Sequence, residues 1–191
     1  MIRYPNGEIY IESNEKKKYK KNESKANRGM PFEKRINKSI SFYQEKNIAI
    51  ITKRPTPIKV IKITGKKITD GFFEKNSTTD YNGVFNGKYI DFEAKSTLKK
   101  KSFPINNIYQ HQLDHLEKII NNNGIAFFLI EFASLKEIYF LNAYFVINFK
   151  KNNIRKSIPI EEIRKNGFLI KKTNNPIEID FLPFIKKTLK N

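Results

Sequence analysis

Two acidic residues, Asp80 and Glu93, are placed opposite each other by the turn between them. That turn is Asn86-Gly87, and Asn-Gly between two β-prone runs is the strongest short-range signal for a two-residue hairpin turn. Counting outward from the turn sets Asp80 directly across from Glu93. Two carboxylates opposed across a strand pair repel each other unless a cation lies between them, and a divalent metal is the natural candidate.

Lys95 completes a set of residue types that metal-dependent nucleases use. It follows Glu93 by two positions, so both side chains project from one face of a strand. The acidic pair could hold one or two Mg²⁺ ions beside a scissile phosphate, and the lysine could orient or deprotonate the attacking water. A competing interpretation is a solvated sheet surface on which Lys95 and Lys88 neutralise Asp91 and Glu93.

Further polar side chains surround the acidic pair. Thr78 and Thr79 directly precede Asp80, and their hydroxyls could reach the metal or a phosphate. By register, Thr78 shares the acidic face. Asp91 also shares that face, but it lies nearer the turn and ranks below Asp80 and Glu93 as a candidate ligand.

The elements that position this hairpin are predicted from hydrophobic spacing. A helix from Met30 to Glu45 has an apolar stripe with Glu33 at its edge. Residues 58–75 alternate apolar residues and lysines about a turn near Gly65, which predicts a second, basic hairpin. Such a hairpin is either a solvated edge protected from aggregation or a projection that enters a nucleic-acid groove or junction.

Another helix is predicted from about Asn106 to Asn123, ended by Gly124. It carries His111 and His115 four residues apart, a spacing that can hold a metal. The glutamate of a metalloprotease motif is missing between them, so a solvated or phosphate-contacting pair is the favoured interpretation.

The remaining pattern predicts a mixed α/β domain. Apolar strands are expected from Ile125 to Glu131 and from Glu137 to Asn142, and a short helix is expected to begin near Pro159. Residues 144–149 fit no single element. The tail is expected to be irregular, with one short strand at Ile177–Asp180.

Composition points to a polyanionic partner. The 191 residues include 37 Lys+Arg against 19 Asp+Glu, a net charge of +18 at pH 7, which favours nucleic acid first and an anionic membrane surface second. Without Cys, disulfides, thiolate zinc sites and cysteine nucleophiles are excluded.

No apolar run approaches about 18 residues, so we expect no membrane partner and a cytoplasmic location. A basic flexible arm is expected over residues 1–26.

Six short blocks carry a family resemblance: AsnArgGlyMet at 27–30, LysArgProThrPro at 53–57, SerThrThrAspTyrAsnGly at 77–83, IleAspPheGluAlaLys at 90–95, SerPhePro at 102–104 and HisGln at 111–112. Together, and in this order, they resemble the RecU family of Holliday junction resolvases. The resemblance implies a homodimeric, Mg²⁺-dependent endonuclease with a restriction-endonuclease-like fold, a mixed sheet flanked by helices. Such enzymes cut four-way DNA junctions symmetrically during recombination and repair, and a host recombinase is an implied partner.

Carried over by position, the resemblance implies the catalytic residues Asp80, Glu93 and Lys95. The implied metal ligands, for Mg²⁺ or for Mn²⁺ as a substitute, are Thr78, Asp80, Glu93 and Gln112. Glu33 and Thr79 are implied as members of the metal shell or as supporting residues. The nuclease domain would span residues 27–191, with the basic hairpin at about 53–75 forming a stalk that projects into the junction centre.

The predicted DNA contacts lie in the basic segments and are Arg28, Lys53, Arg54, Lys59, Lys62, Lys66, Lys67, Phe73, Lys99, Lys100 and Lys101. Two alternatives use the same residues differently. One is a restriction-type nuclease that cuts linear duplex DNA, and the other is a basic nucleic-acid-binding module without catalysis.

Overall fold

The computed structural model describes residues 2–3, 30–73, 78–152, 154–171 and 177–188. The chain divides into two compact units. The smaller is formed by Met1–Glu23 and Arg54–Ser77, and the larger by Ser24–Lys53 and Thr78–Asn191. In the described part of the chain no helix is long and apolar enough to cross a membrane.

In chain order the elements are β1 (Ile2–Arg3), α1 (Met30–Glu45), β2 (Ile50–Lys53), β3 (Ile58–Thr64), β4 (Lys67–Phe73), β5 (Tyr81–Phe85), β6 (Lys88–Thr97), β7 (Ser102–Pro104), α2 (Gln110–Asn121), β8 (Ile125–Phe132), β9 (Glu137–Asn142), α3 (Ala143–Asn152), β10 (Ser157–Pro159), α4 (Ile160–Asn166), β11 (Phe168–Leu169) and α5 (Leu182–Thr188).

The larger unit is built on a six-stranded mixed sheet flanked by helices, which confirms the predicted α/β class. The strand order is β11-β9-β8-β6-β5-β2. β6 and β8 are parallel, whereas the other neighbours are antiparallel. Strand β6, which carries Glu93 and Lys95, therefore lies inside the sheet and is paired along both edges.

The turn between β5 and β6 has the predicted geometry. Asn86 and Gly87 have φ values of 49° and 71°, as a type I′ turn requires at both central residues. Tyr81 pairs with Phe92 and Val84 pairs with Tyr89. This register is the predicted one, and Asp80 directly precedes the first paired residue of β5.

The two faces of β6 have different surroundings. On one face Ile90, Phe92 and Ala94 pack in a cluster that includes residues of α1 and α5. On the other face, α2 and α3 cover the neighbouring strand β8. Because strand side chains alternate, the odd-numbered residues Asp91, Glu93 and Lys95 project towards the face that α2 covers.

A row of aromatic rings crosses four strands behind these charged residues. Tyr81, Phe92, Phe127 and Phe140 stack in succession, with ring centroids 4.8, 4.6 and 4.5 Å apart. Such pairs contribute about 1 kcal/mol each beyond the area they bury. The row locks β5, β6, β8 and β9 in register.

Helix α2 differs from its prediction at both ends. It begins at Gln110, after a 3-10 turn at Ile105–Asn107, and not at Asn106. The left-handed residue beyond its end is Asn123, with φ of 61°, while the backbone N–H of Gly124 donates to the carbonyl of Ile119 at 2.9 Å. Asn adopts the left-handed conformation more readily than most residues, so glycine is not required there.

The C-terminal prediction was wrong in two places. No strand forms at Ile177–Asp180, and the helix α5 follows where an irregular tail was expected. Phe181, Leu182 and Ile185 are buried in the cluster that covers α1, so tertiary burial stabilises a short helix that the local pattern did not indicate. The ambiguous residues 144–149 belong to α3.

The smaller unit contains the predicted basic hairpin. β3 and β4 are antiparallel, joined at Gly65 with φ of 61°, and β1 pairs in parallel with β4. Every residue of β3 is exposed. Most of the predicted arm, apart from Ile2 and Arg3, lies outside the described residues.

Candidate active site

Asp80 and Glu93 lie in direct contact at the open end of the β5–β6 hairpin. The backbone N–H of Asp80 donates to Glu93 Oε2 at 3.0 Å, and the backbone N–H of Ala94 donates to Asp80 Oδ2 at 3.1 Å. Each carboxylate is thus fixed by the backbone of the other strand. The predicted opposition of the two acids is what the structure shows.

Burial makes this acidic pair electrostatically unfavourable on its own. Glu93 is 1% exposed, and desolvation, followed by the charge of Asp80, raises its pKa to about 7. Desolvation also raises the pKa of Asp80, opposed by the hydrogen bond from Ala94 and the charge of Lys95. A second positive charge at this point would therefore be strongly favoured.

Lys95 lies beside the pair, as its spacing predicted. Its Nζ bonds Glu93 Oε1 at 2.7 Å and lies 5.7 Å from the centre of the Tyr109 ring. The side chain is 19% exposed, so the ammonium group reaches solvent while its partner carboxylate does not. An ammonium in this position can meet a phosphate that approaches from solvent.

Gln112, a predicted metal ligand, contacts the acidic pair through its amide group. Its Nε2 donates to Glu93 Oε1 at 2.7 Å, while its Oε1 accepts from the backbone N–H of Tyr109 at 3.1 Å. Because a backbone N–H can only donate, the amide oxygen must face Tyr109. The side chain of Gln112 therefore holds Glu93 in place through Nε2. The amide oxygen has two lone pairs, so its role as a metal ligand stays a prediction.

The two threonines before Asp80 occupy different environments. Thr79 is fully buried, and its Oγ1 donates to Asp91 Oδ1. Thr78 is half-buried. Strict alternation placed Thr78 on the acidic face, but residues 78–80 precede the regular part of β5, and it is the Thr79 hydroxyl that reaches Asp91.

Glu33, near the start of α1, lies close enough to influence the pair. Its carboxylate forms an ion pair with Lys53 Nζ, and its charge is one of the causes that raise the pKa of Asp80. Lys53 was predicted to contact DNA, but here its ammonium group is engaged with Glu33.

Oxygen ligands, two carboxylates and a strong local need for positive charge fit a hard divalent cation. Among the described residues no group of three or more His, Asp or Glu side chains is arranged to hold a metal ion. Mg²⁺ is commonly bound through one or two carboxylates, with water and substrate phosphates completing its shell. Asp80 and Glu93 meet that requirement without a third acid.

The two histidines have separate environments. His115 Nε2 lies 2.9 Å from Asp91 Oδ2, and the ring of His111 stacks against Tyr109 with centroids 5.5 Å apart. The sequence offered the i, i+4 spacing as a metal signal, and it missed both Tyr109 and the Asp91–His115 contact. Tyr89 and Asp91 are two residues apart on one strand and therefore share a face. That spacing was the signal in the sequence that Asp91 has polar partners.

Most predicted DNA-contacting residues in the described chain are exposed. Lys99, Lys100 and Lys101 are exposed in the loop between β6 and β7. In the smaller unit Lys59, Lys62, Lys66 and Lys67 are exposed, whereas Arg54 and Phe73 are half-buried. Arg28 lies outside the described residues.

Comparison with known proteins identifies the family. The family model of RecU, described as Recombination protein U, matches residues 27–187. This chain belongs to the RecU family. A relative from Streptococcus gordonii, named Holliday junction resolvase RecU, is 41% identical over 99% of this chain and 96% of its own. The RecU protein of Bacillus cytotoxicus, with the same name, is 40% identical over 96% of each chain.

Among solved structures, Archaeoglobus fulgidus Hjc, a Holliday junction resolvase from an archaeal hyperthermophile, superposes with a TM-score of 0.41 and 12% identity. That match covers 73% of this chain and 94% of Hjc.

Proposed function

We propose that this RecU protein is a Mg²⁺-dependent endonuclease that resolves four-way Holliday junctions by symmetric paired nicking during homologous recombination and DNA repair. The observation that carries the proposal is the contact of Asp80 with Glu93, with Lys95 beside them. These are the residue types that metal-dependent nucleases use. The chain also belongs to a family in which its relatives are named Holliday junction resolvases.

Asp80 and Glu93 would hold the cation, and Thr78 and Gln112 are the further predicted ligands. Mn²⁺ would be able to substitute for Mg²⁺. When bound, the ion would polarise the scissile phosphoryl group and lower the pKa of an attacking water. Gln112 keeps Glu93 oriented through the 2.7 Å bond from its Nε2.

Lys95 is the residue that would act on the phosphate and on the water. Its ammonium group bonds Glu93 and is partly exposed, so it can stabilise negative charge that develops on the phosphate. It can also orient the water for attack. Glu93, with a pKa of about 7 in the metal-free protein, would lose its proton when the cation binds.

The net charge of +18 supplies the affinity for DNA, mainly through phosphate contacts that carry no sequence information. We assign these contacts to the predicted basic residues of the stalk hairpin at about 53–75 and of the loop at Lys99–Lys101. Residues 27–191 would form the nuclease domain and residues 1–26 a flexible basic arm. A host recombinase is a further candidate partner, and the site of action would be the cytoplasm.

A homodimer would match the substrate. A four-way junction has a two-fold axis, and two active sites related by the same symmetry could nick paired strands. Each protomer would contribute one Asp80–Glu93 pair, so one active site would cut one strand.

Cleavage of a synthetic four-way junction tests the proposal. Wild-type protein should nick paired strands with Mg²⁺ and not with EDTA, and it should prefer the junction to a linear duplex of the same sequence. Asp80→Asn should reduce the rate about 100-fold or more, because a lost metal ligand removes several kcal/mol of transition-state stabilisation.

Asp114→Asn is the matched control, because Asp114 is an exposed acid on α2 whose Oδ1 accepts from Gln110. It should cut at the wild-type rate. Equal cleavage by wild type and Asp80→Asn would refute the catalytic assignment. Cleavage of duplex as fast as junction would favour a restriction-type enzyme, and binding without cleavage would favour a binding module.

A further inference from the structure

Asp91 is a buried carboxylate within the site that the proposed chemistry does not use. It is 0% exposed, and a buried charge is costly unless hydrogen bonds compensate for the lost water. Side chains of three described residues provide such bonds. Thr79 Oγ1 donates to Oδ1, while Tyr89 OH and His115 Nε2 lie 3.1 and 2.9 Å from Oδ2. A carboxylate only accepts hydrogen bonds, so His115 Nε2 is the donor in its pair.

These three donors come from separate parts of the larger unit. Thr79 belongs to the segment before β5, Tyr89 lies on β6, and His115 lies on α2. Backbone pairing of β5 with β6 begins only at Tyr81. The bond from Thr79 to Asp91 therefore fixes the residue directly before Asp80, outside the regular part of the hairpin.

Helix α2 is tied to β6 at two neighbouring points. Gln112 bonds Glu93, and His115 bonds Asp91. Residues three apart on a helix are about 5–6 Å apart, and residues two apart on a strand are about 7 Å apart, so the two bonds run side by side. Displacing one of them would shift the helix that also holds the other.

We infer that Asp91 and His115 form a positioning pair that sets the separation of Asp80 and Glu93 for a divalent cation. Asp91 holds the Asp80 segment through Thr79, and it holds α2, and with it Gln112 and Glu93, through His115. Both oxygens of Asp91 accept bonds from side chains of other segments, so it connects the elements of the site. This inference rests on the proposed function.

His115→Leu, which removes the donor, and His115→Gln, which places an amide Nε2 at a similar reach, test the pair. The leucine variant should bind Mn²⁺ about 10-fold or more weakly in calorimetric titrations, the size of effect typical of residues that orient metal ligands. Its single-turnover cleavage rate should fall alongside, while its affinity for junction DNA without metal should stay within about two-fold of wild type. The glutamine variant should recover most of both losses.

Glu117→Gln is the matched control, because Glu117 bonds Lys151 at 2.5 Å and so ties the same helix to α3 instead of to β6. It should bind Mn²⁺ as wild type does. If His115→Leu does not fold, Tyr89→Phe carries the test, since it removes one hydroxyl from Asp91 and should also weaken Mn²⁺ binding.

The outcomes separate the two claims. A wild-type protein that binds Mn²⁺ but leaves junctions intact would refute the proposed function alone. Unchanged Mn²⁺ affinity in His115→Leu, or in Tyr89→Phe where the leucine variant does not fold, would overturn the positioning role. The positioning role would also be overturned if His115→Leu lost Mn²⁺ affinity together with a fall in melting temperature and His115→Gln did not recover that affinity.

Discussion

The contact of Asp80 with Glu93 is electrostatically unfavourable for the fold, and it lies where we propose that the cation binds. Two carboxylates share a site from which water is largely excluded, and Lys95 compensates only part of their charge. The metal-free protein therefore keeps a proton on Glu93 up to a pH of about 7. A bound cation would replace that proton.

The pH dependence of stability should report this proton. Because the pKa of Glu93 is raised from 4.5 to about 7 on folding, the folded state binds more protons than the unfolded state between these values. The free energy of unfolding without metal should then fall as the pH rises through that window. In Asp80→Asn the decline should be shallower, since one cause of the raised pKa is gone. Urea unfolding at pH 5, 6, 7 and 8 measures it.

Asp80→Asn should also be more stable than wild type at pH 8, by about 1 kcal/mol, since directly opposed like charges are destabilising. The asparagine keeps an oxygen for the N–H of Ala94 and gains a donor for Glu93. A steeper decline, or a less stable variant at pH 8, would contradict the role of the acidic pair.

The sequence predicted the backbone positions of the site better than its side-chain contacts. Asp80 faces Glu93 because Asn86-Gly87 leaves one register for the hairpin. The orientation of Gln112 and the bond between His115 and Asp91 depend on how α2 packs on the sheet. A local sequence pattern does not predict that packing. The position of Thr79 was missed because residues 78–80 do not continue the alternation of β5.

At the scale of elements, strand β2 is held to β5 through a close approach of backbones at Gly83. Gly83 is paired with Ile51. A Cβ at this position would lie 2.1 Å from the carbonyl oxygen of Ile50 and 2.7 Å from Cα of Ile51. Residue 83 therefore needs to be glycine for β2 to remain paired.

Gly83→Ala should lower the free energy of unfolding by about 1–3 kcal/mol, as overpacking does in cores, because β2 must move away from β5. Urea unfolding followed by circular dichroism measures the loss. Gly87→Asn is the control: nothing lies within 4 Å of its Cβ position, and Asn adopts a positive φ more readily than most residues. Equal losses of unfolding free energy in the two variants would show that the close backbone approach at Gly83 does not require glycine.

Local patterns predicted elements with strong periodicity and missed those that tertiary contacts create. The residue range of α1 matches its prediction because its apolar stripe is regular. By contrast, α5 contains Pro183 and only seven residues, too short to be stable alone. It forms because Phe181 and Ile185 are buried in the core.

At the scale of the whole molecule, we expect the charge of +18 to dominate association with DNA. Positive side chains occur in both compact units, and many belong to exposed residues of β3, β4 and the β6–β7 loop. Such a distribution favours binding along phosphates, whereas the proposed cleavage depends on the Asp80–Glu93 pair.

Junction affinity measured by fluorescence anisotropy in EDTA should fall about 1,000-fold or more between 50 and 200 mM KCl, as expected for six or more neutralised phosphates. Replacing Lys99, Lys100 and Lys101 by Gln should make the salt slope shallower by up to about 3. The control is Lys186→Gln with Lys187→Gln, whose ammonium groups lie over the rings of Phe85 and Phe168. Identical slopes in the two variants would remove the β6–β7 loop from the DNA interface.

The alternation along β6 also constrains how this enzyme can change over evolutionary time. Its odd-numbered residues from Asp91 to Lys95 face α2 and form the proposed site, while Ile90, Phe92 and Ala94 build the core behind them. A single inserted or deleted residue would send the charges into the core and the aromatic ring into the site. Drift in β6 can therefore proceed by substitution, position by position, whereas a change in its length would abolish folding and cleavage together.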